Sequence, residues 1–181
     1  MTIVSGDGSS LATTQSFNAK VALYAARGYH HTAGSLFGSE VTYLGISTAG
    51  NAIGYVADMG GVPQEKPHRP VRVIVGEAIS AVVLEALALE LVLKVKLHHA
   101  GKRPPKMHNH ADLFAKLAAS ERQQAGQRFQ VGRQPDTYTL EEVLANSAPA
   151  FERWRYAHEH QQLEASMSDM RQAFEALAYG L

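Results

Sequence analysis

A basic, histidine-rich loop is the first segment whose residue types could do chemistry. Its cations are Lys102, Arg103 and Lys106, and residues 91–111 contain no acidic residue. Such a cluster predicts contacts with phosphate groups, and His108 completes the predicted phosphate-binding set. The alternative is a structural role, because cations at the C-terminus of a helix complement its dipole and cap its carbonyl groups.

Several histidines in and before this loop raise the question of a metal site: His98, His99, His108 and His110. Zinc needs ligands at a defined geometry, and adjacent side chains on a helix point about 100° apart. Nothing in the spacing makes these rings converge, so we predict neither a metal nor a cofactor. The similar pair His30 and His31 is interpreted as surface or core-edge residues.

Two carboxylates, Glu85 and Glu90, interrupt the very apolar segment 78–93. A carboxylate at the centre of a membrane-spanning helix costs about 2.5–3.5 kcal/mol, so the segment is predicted to be a buried helix and not a membrane span. The Glu-x-x-His motifs of di-iron bundles are absent from this helix. We therefore expect a structural pairing of Glu90 with Lys94 or an arginine.

The composition is typical of a single soluble domain over residues 1–181, with 45% hydrophobic and 19% charged residues. Basic and acidic residues balance at 17 each, so any contact with nucleic acid must come from a local patch. The absence of cysteine excludes disulfides and thiolate metal sites and fits the cytoplasm. The N-terminal sequence MTIVSGDGSS does not have the pattern of a signal peptide.

The central helix is predicted to begin after Pro70 and to end near His99. It is apolar on almost every side, and such a helix must lie at the centre of a fold. Gly101 occupies the position where a C-terminal cap glycine is common, and the prolines at 104 and 105 prevent continuation.

The remaining helices are predicted from apolar spacing and from capping signals. A helix over residues 14–32 would have one apolar stripe, formed by Phe17, Val21, Tyr24, Ala25 and Gly28. Another helix begins near residues 109–112 and gives way to the polar sequence ERQQAGQRFQVGRQ, which is interpreted as a loop.

Thr139 and Glu142 match a capping box at the start of a further helix, which Pro149 should kink or split. A last helix is expected over about 167–180. Residues 1–13 are predicted to be disordered and 45–70 to form a Gly/Pro-rich loop, with at most a short turn or strand near residues 53–57. Residues 71–181 would then form the core bundle, and no convincing strand is predicted.

Two segments resemble the HEPN superfamily, small helical-bundle domains found in many prokaryotic toxins and defence proteins. ALALELVLKVKLHHAGKRPPKMHNHADLFAKL, residues 86–117, is similar to the family's long helix, its Lys- and Pro-bearing loop and the start of the next helix. FERWRYAHEH, residues 151–160, resembles the WRY element of an uncharacterised prokaryotic subgroup. The resemblance covers roughly the last half of the chain. It implies an all-α, HEPN-like bundle of four to five helices around a long buried central helix, often dimeric.

Catalytic members of this family cut RNA without a metal, using an arginine and a histidine separated by four to six residues. The resemblance therefore makes Arg153, Arg155, His158 and His160 candidate catalytic residues. On one continuous helix, Arg153 and His160 would share a face about 10.5 Å apart. Arg155 and His158 would be close enough to touch. Histidine could transfer protons near neutral pH, and arginine could stabilise charge on the phosphate.

This sequence departs from the family pattern in one respect. The polar residue that often follows the catalytic arginine is replaced by Trp154 after Arg153 and by Tyr156 after Arg155. Arg155 could instead stack on an aromatic ring, and His158 could be a satisfied residue at the edge of the core.

The leading functional hypothesis is a homodimeric HEPN-like domain of a defence or toxin-type system. It would act as a metal-independent RNA endonuclease or as an RNA-binding protein, with a cognate protein partner of unknown identity. One alternative is a non-catalytic helical interaction module. Another is a bundle that binds a small molecule between Trp154 and the central helix.

Overall fold

The computed structural model of this protein describes residues 17–37, 41–49, 52–58, 71–134 and 137–181. Most of these residues are helical, so the predicted all-α class is confirmed. The helices are α1 (Ala19–Phe37), α2 (Val71–His99), α3 (His110–Ala115), α4 (Ala119–Gln130), α5 (Leu140–Ser147), α6 (Ala150–Arg155) and α7 (Met167–Ala178). A short 3-10 turn follows α6 at Ala157–Glu159. The predicted disorder of residues 1–13 concerns a segment outside the described residues.

Helix α2 is the buried central helix that the sequence predicts. It packs against α1, α3, α6 and α7, and its buried residues extend over about 200° of its circumference, from Val95 through Leu89 to Leu97. A helix buried over this much of its surface has room for few polar side chains, which explains its apolar composition. Among the described residues, no helix has the length and apolar character needed to cross a membrane.

The prediction of a loop over residues 45–70 is wrong for its first part. Strands β1 (Tyr43–Ala49) and β2 (Ala52–Asp58) form an antiparallel pair, and β3 (Gln162–Ser166) adds to the other side of β1. Leu44 and Ile46 are buried on the same face of the sheet, and Ile46 is the cross-strand partner of the buried Leu163 of β3. The second half of the predicted loop, residues 59–70, lies outside the described residues.

The apolar face predicted for α1 is also wrong. Val21 and Tyr24 are 62% and 65% exposed, whereas Ala22, Ala26 and Ala33 are buried against the core. The prediction followed the spacing of the larger apolar side chains. The face that packs on the core is formed by alanines instead, and their small side chains allow α1 to approach α2 closely. Asn18 caps the start of the helix, because its Oδ1 accepts a hydrogen bond from the backbone N–H of Val21 at 3.1 Å.

Several predicted helix boundaries are confirmed. The capping box is present, because Thr139 Oγ1 accepts from Glu142 N at 3.3 Å and Thr139 N donates to Glu142 Oε2 at 2.7 Å. Pro149 splits the predicted third helix into α5 and α6. The polar segment interpreted as a loop instead forms α4, which buries Ala125 and Phe129.

The end of α2 is fixed by a Schellman motif. Gly101 adopts φ 72°, its N–H donates to His98 O at 3.0 Å, and the N–H of Lys102 donates to Leu97 O at 2.9 Å. This arrangement satisfies carbonyl groups at the end of the helix and turns the chain outward. The predicted cap glycine is therefore confirmed.

Replacing Gly101 with alanine should lower the free energy of unfolding by about 1–2 kcal/mol, because a side chain disfavours the left-handed conformation. Urea denaturation followed by circular dichroism would measure the change. Gly126→Ala is the matched control, since Gly126 lies inside α4 with open space around its Cα. That control should stabilise the protein by about 0.5–1 kcal/mol. Equal effects of the two substitutions would contradict the role assigned to the backbone conformation of Gly101.

Candidate functional site

The basic loop leaves the end of α2 and carries its cations at the surface. Lys102, Arg103 and Lys106 are all exposed. The ammonium group of Lys102 donates a hydrogen bond to the backbone oxygen of Lys116, which ties the loop to the end of α3. Pro104 and Pro105 restrict the backbone between the cations. The loop therefore presents positive charge from a largely fixed backbone.

A groove of about 820 Å³ lies between this loop, the last turns of α2 and the start of α1. Its described lining contains four cationic side chains and no carboxylate; the residues are Phe17, Asn18, Leu91, Lys94, His98, Gly101, Lys102, Arg103, Pro104, Pro105 and Lys106. Lys94 is paired with Glu90 at 2.6 Å, as the sequence predicts, so its charge is balanced locally. The net positive charge of the groove comes from the other three cations.

The groove also has an aromatic side. The rings of Phe17 and His98 lie 5.6 Å apart between centroids, with an angle of 54° between their planes. Cations beside planar side chains are the combination found in proteins that bind single-stranded nucleic acids, where the cations contact phosphates and the rings stack on bases. The groove is therefore suited to a polyanion with planar groups.

His108 does not line this groove. Its Nδ1 lies 3.0 Å from Glu90 Oε2, and its ring lies roughly parallel to that of Phe151 at 6.3 Å. Glu90 is buried and accepts from Lys94 with its other oxygen. His108 thus anchors the returning end of the loop to α2, which differs from the phosphate contact assigned to it from the sequence.

The loop histidines do not converge on one point. His110 is buried, and its Nδ1 lies 3.0 Å from Ser147 Oγ. Burial lowers the pKa of His110 to about 4, so the ring is neutral at physiological pH. His98 and His99 are exposed at the end of α2. Within the described part of the chain, no three side chains of metal-binding type form a group that could hold a metal ion.

The predicted catalytic residues do not lie on one helix. Helix α6 ends at Arg155, and His160 has an extended backbone with φ −116° and ψ 140°. The common face of Arg153 and His160 assumed a continuous helix through both residues, and that assumption is wrong. Arg153 therefore lies on α6, whereas His160 lies in the extended segment that follows the 3-10 turn.

Arg155 and His158 both lie beside Tyr156, whose ring centroid is 6.3 Å from that of His158. The Arg155 guanidinium lies 5.3 Å from the Phe151 ring centroid and 4.6 Å from that of Tyr156. The side chain of His158 is 76% exposed, and its Nε2 lies 3.7 Å from Glu159 Oε1. The adjacent Trp154 is only 2% exposed, so its ring fills the core and does not face an open pocket. The aromatic element therefore anchors α6, with its charged residues facing solvent.

A histidine held between two carboxylates was missed by the sequence analysis. His30 Nδ1 lies 2.8 Å from Glu85 Oε1 on α2, and His30 Nε2 lies 3.0 Å from Glu175 Oε1 on α7. The His30 ring stacks on Phe174 at 4.2 Å. Glu85 is fully buried, and its Oε2 has no hydrogen-bond partner among the described atoms. No local motif could have revealed this cluster, because its members come from three helices.

The two carboxylates decide the protonation of His30. Burial lowers the pKa of His30, but the hydrogen bond to Glu85 and the charges of Glu85 and Glu175 together raise it more, so the net pKa lies above 6.5. The protonated ring compensates the buried carboxylate of Glu85. It therefore joins α1, α2 and α7 electrostatically.

This cluster should make stability depend on pH. Because the pKa of His30 is raised on folding, its contribution is complete below the unfolded value near 6.5 and is lost as pH rises through the folded value. His30→Gln should lower the free energy of unfolding at pH 5.5 by about 1.5–3 kcal/mol and flatten its decline above pH 6.5. Urea denaturation between pH 5.5 and 8.5 would measure this. His31→Gln, at an exposed neighbouring position, should leave the profile unchanged. A His30→Gln profile that is parallel to the wild-type profile would contradict the assignment.

A comparison of this chain with protein-family models, with curated proteins and with solved structures finds no match. No relative therefore indicates a function for this chain.

Proposed function

We propose that this protein is an RNA-binding helical domain that holds a single strand in the groove beside its basic loop. The observation that carries the proposal is the lining of the groove, where Lys102, Arg103 and Lys106 lie beside Phe17 and His98 without a carboxylate among the described lining residues. The cations would neutralise phosphates, and the rings would stack on bases. The resemblance to HEPN domains supports RNA as the ligand and a defence or toxin-type system as the context.

Charge balance over the whole chain supports a local site. The protein has equal numbers of basic and acidic residues, so a long-range attraction to polyanions is not expected. RNA would instead be bound through a few phosphates in the groove. Binding should therefore be moderate in strength, with a salt dependence set by the few phosphates that the groove contacts.

The triple variant Lys102→Ala/Arg103→Ala/Lys106→Ala should bind single-stranded RNA more weakly. The slope of log K against log salt should become shallower by roughly 0.7 for each lost phosphate contact, or about 2 in total. Fluorescence anisotropy of a labelled 12-nucleotide RNA between about 50 and 200 mM salt would measure it.

A single-cation comparison controls for net charge. Lys106→Ala removes a cation from the groove, whereas Lys116→Ala removes an exposed cation outside its lining. Only the first should change the salt slope. Equal losses in the two variants, or wild-type affinity in the triple variant, would refute the groove as the binding site.

The endonuclease hypothesis is a further step of the proposal. Arg153 and His160 lie on different backbone elements, and we propose that two copies of the protein together supply the arginine and the histidine of one reaction centre. A homodimer remains part of this hypothesis. Arginine from one copy would then stabilise the phosphate while histidine from the other transfers protons.

RNA cleavage in EDTA, with the Arg153→Ala/His160→Ala protein as the comparison, tests this step. The hypothesis expects cleavage by the wild type and a fall of at least about 100-fold in the double variant. Light scattering would show whether the active species is dimeric. Cleavage that is unaffected by the substitutions would exclude the two residues as catalysts. No cleavage of any RNA would leave a binding protein without this activity.

A further inference from the structure

The outward face of α1 combines apolar and basic side chains. Val21 and Tyr24 are 62% and 65% exposed, and Lys20, Arg27 and His31 lie on the same side of the helix. Helix α1 contains no acidic residue along its whole length, Ala19–Phe37. Arg27 donates a hydrogen bond to the backbone oxygen of Leu181, so Lys20 supplies the cation next to Tyr24 that has no such contact among the described hydrogen bonds. The charged side chains that α1 itself places on this face are all basic, which fits an anionic partner.

This face adjoins the groove. Phe17 contacts His98 and His30 contacts Glu85, so α1 and α2 run antiparallel with a constant offset along their axes. Phe17 lines the groove, and Val21 and Tyr24 follow it at spacings of four and three residues, which places the three side chains on one side of the helix start. Tyr24 lies on the face opposite the buried Ala22 and Ala26. The apolar stripe therefore leads from the groove wall at Phe17 to the outward surface of α1.

We propose that a single-stranded RNA continues from the groove onto the outward face of α1, where Tyr24 stacks on a base and Lys20 contacts a phosphate. This inference rests on the proposed function and extends its binding site. Asn18 and Tyr24 are separated by about 9 Å along the helix axis, which corresponds to roughly three stacked nucleotides. The extension thus adds a defined length of strand to the site.

The positive charge on the outward face of α1 favours RNA over a second copy of the chain as the ligand of this face. Pairing two copies through this face of α1 would place basic side chains of both copies together, and neither helix has an acidic side chain to pair with them. Like charges in direct apposition disfavour such an interface. A polyanion with planar bases uses both properties of the face, since it offers phosphates to the lysine and a stacking surface to the tyrosine.

Tyr24→Leu should raise the Kd of a 12-nucleotide RNA about 5- to 150-fold, the range expected for loss of one stacked base. Tyr24→Phe keeps the ring and should bind like the wild type. Lys20→Ala should weaken binding and make the salt slope shallower by roughly 0.7. Tyr179→Leu is the matched control, because Tyr179 is 69% exposed and lies under Arg128 outside the groove lining. It should not change the Kd.

A 4-nucleotide RNA separates this inference from the function on which it rests. It can occupy the groove alone, so its binding should depend on Lys102, Arg103 and Lys106 but not on Tyr24. If the groove variant weakens binding of both RNAs while Tyr24→Leu changes neither, the path along α1 is wrong and the groove proposal stands. If neither variant changes binding, both proposals are wrong.

Other occupants of the face give different results. Equal losses for Tyr24→Leu and Tyr24→Phe would overturn base stacking, because the phenyl ring retains the stacking surface. A wild-type dimer that becomes monomeric on Tyr24→Leu substitution, measured by light scattering, would assign the face to a second copy and overturn the proposal. Thermal unfolding of each variant within the error of the wild type would confirm that binding changes reflect the surface.

Discussion

The burial of two carboxylates in α2 is the constraint on which the arrangement of the protein depends. Glu85 and Glu90 lie on a helix that is enclosed by other elements, and an isolated buried charge is strongly unfavourable. Each carboxylate is therefore met by a basic side chain, His30 for Glu85 and both Lys94 and His108 for Glu90. The pairs determine what packs on α2 at two levels: removal of His30 would leave Glu85 without its basic partner, and removal of His108 would leave Glu90 paired only with Lys94 of the same helix.

The two pairs also connect the core to the surface that we propose binds RNA. The His30 pair holds α1 in a fixed alignment with α2, and α1 carries Phe17 to one wall of the groove. The His108 pair holds the returning end of the basic loop on the opposite side. The groove is thus bounded by two elements that are each anchored to the same helix. The shape of the groove therefore depends on the ion pairs that compensate the buried carboxylates.

Sequence reasoning succeeded where the determining interactions are local. The end of α2 follows from Gly101 and two prolines, the start of α5 follows from Thr139 and Glu142, and the split at Pro149 follows from the missing N–H. The central helix was predictable because its apolar composition admits one environment. The i,i+4 spacing of Glu90 and Lys94 was likewise sufficient to predict their pair.

Sequence reasoning failed where the determining interactions join segments that are distant in the chain. The glycines in segment 45–70 favoured the prediction of a loop over that of strands. The Gly-Asn sequence at 50–51, between two seven-residue runs, is nevertheless a signal for a β-hairpin. The exposed face of α1 was misassigned because buried alanines carry a weaker signal than Val21 and Tyr24. His30 and Glu85 could not be paired without knowing that α1 and α2 are antiparallel. Helix α6 ends before His158 although no proline or glycine marks the end.

The pairing of β1 with β3 limits how far the chain can fold while it is being synthesised. Tyr43 is the register partner of Ser166, so most of the polypeptide must leave the ribosome before this ladder can close. Until then β1 can pair with β2 on one side only, and its other edge offers unsatisfied N–H and C=O groups. Non-local pairing of this kind slows folding, because the entropy of closing a long loop is lost before the contacts compensate it. The nascent chain therefore passes through a stage in which an open strand edge needs protection from other chains.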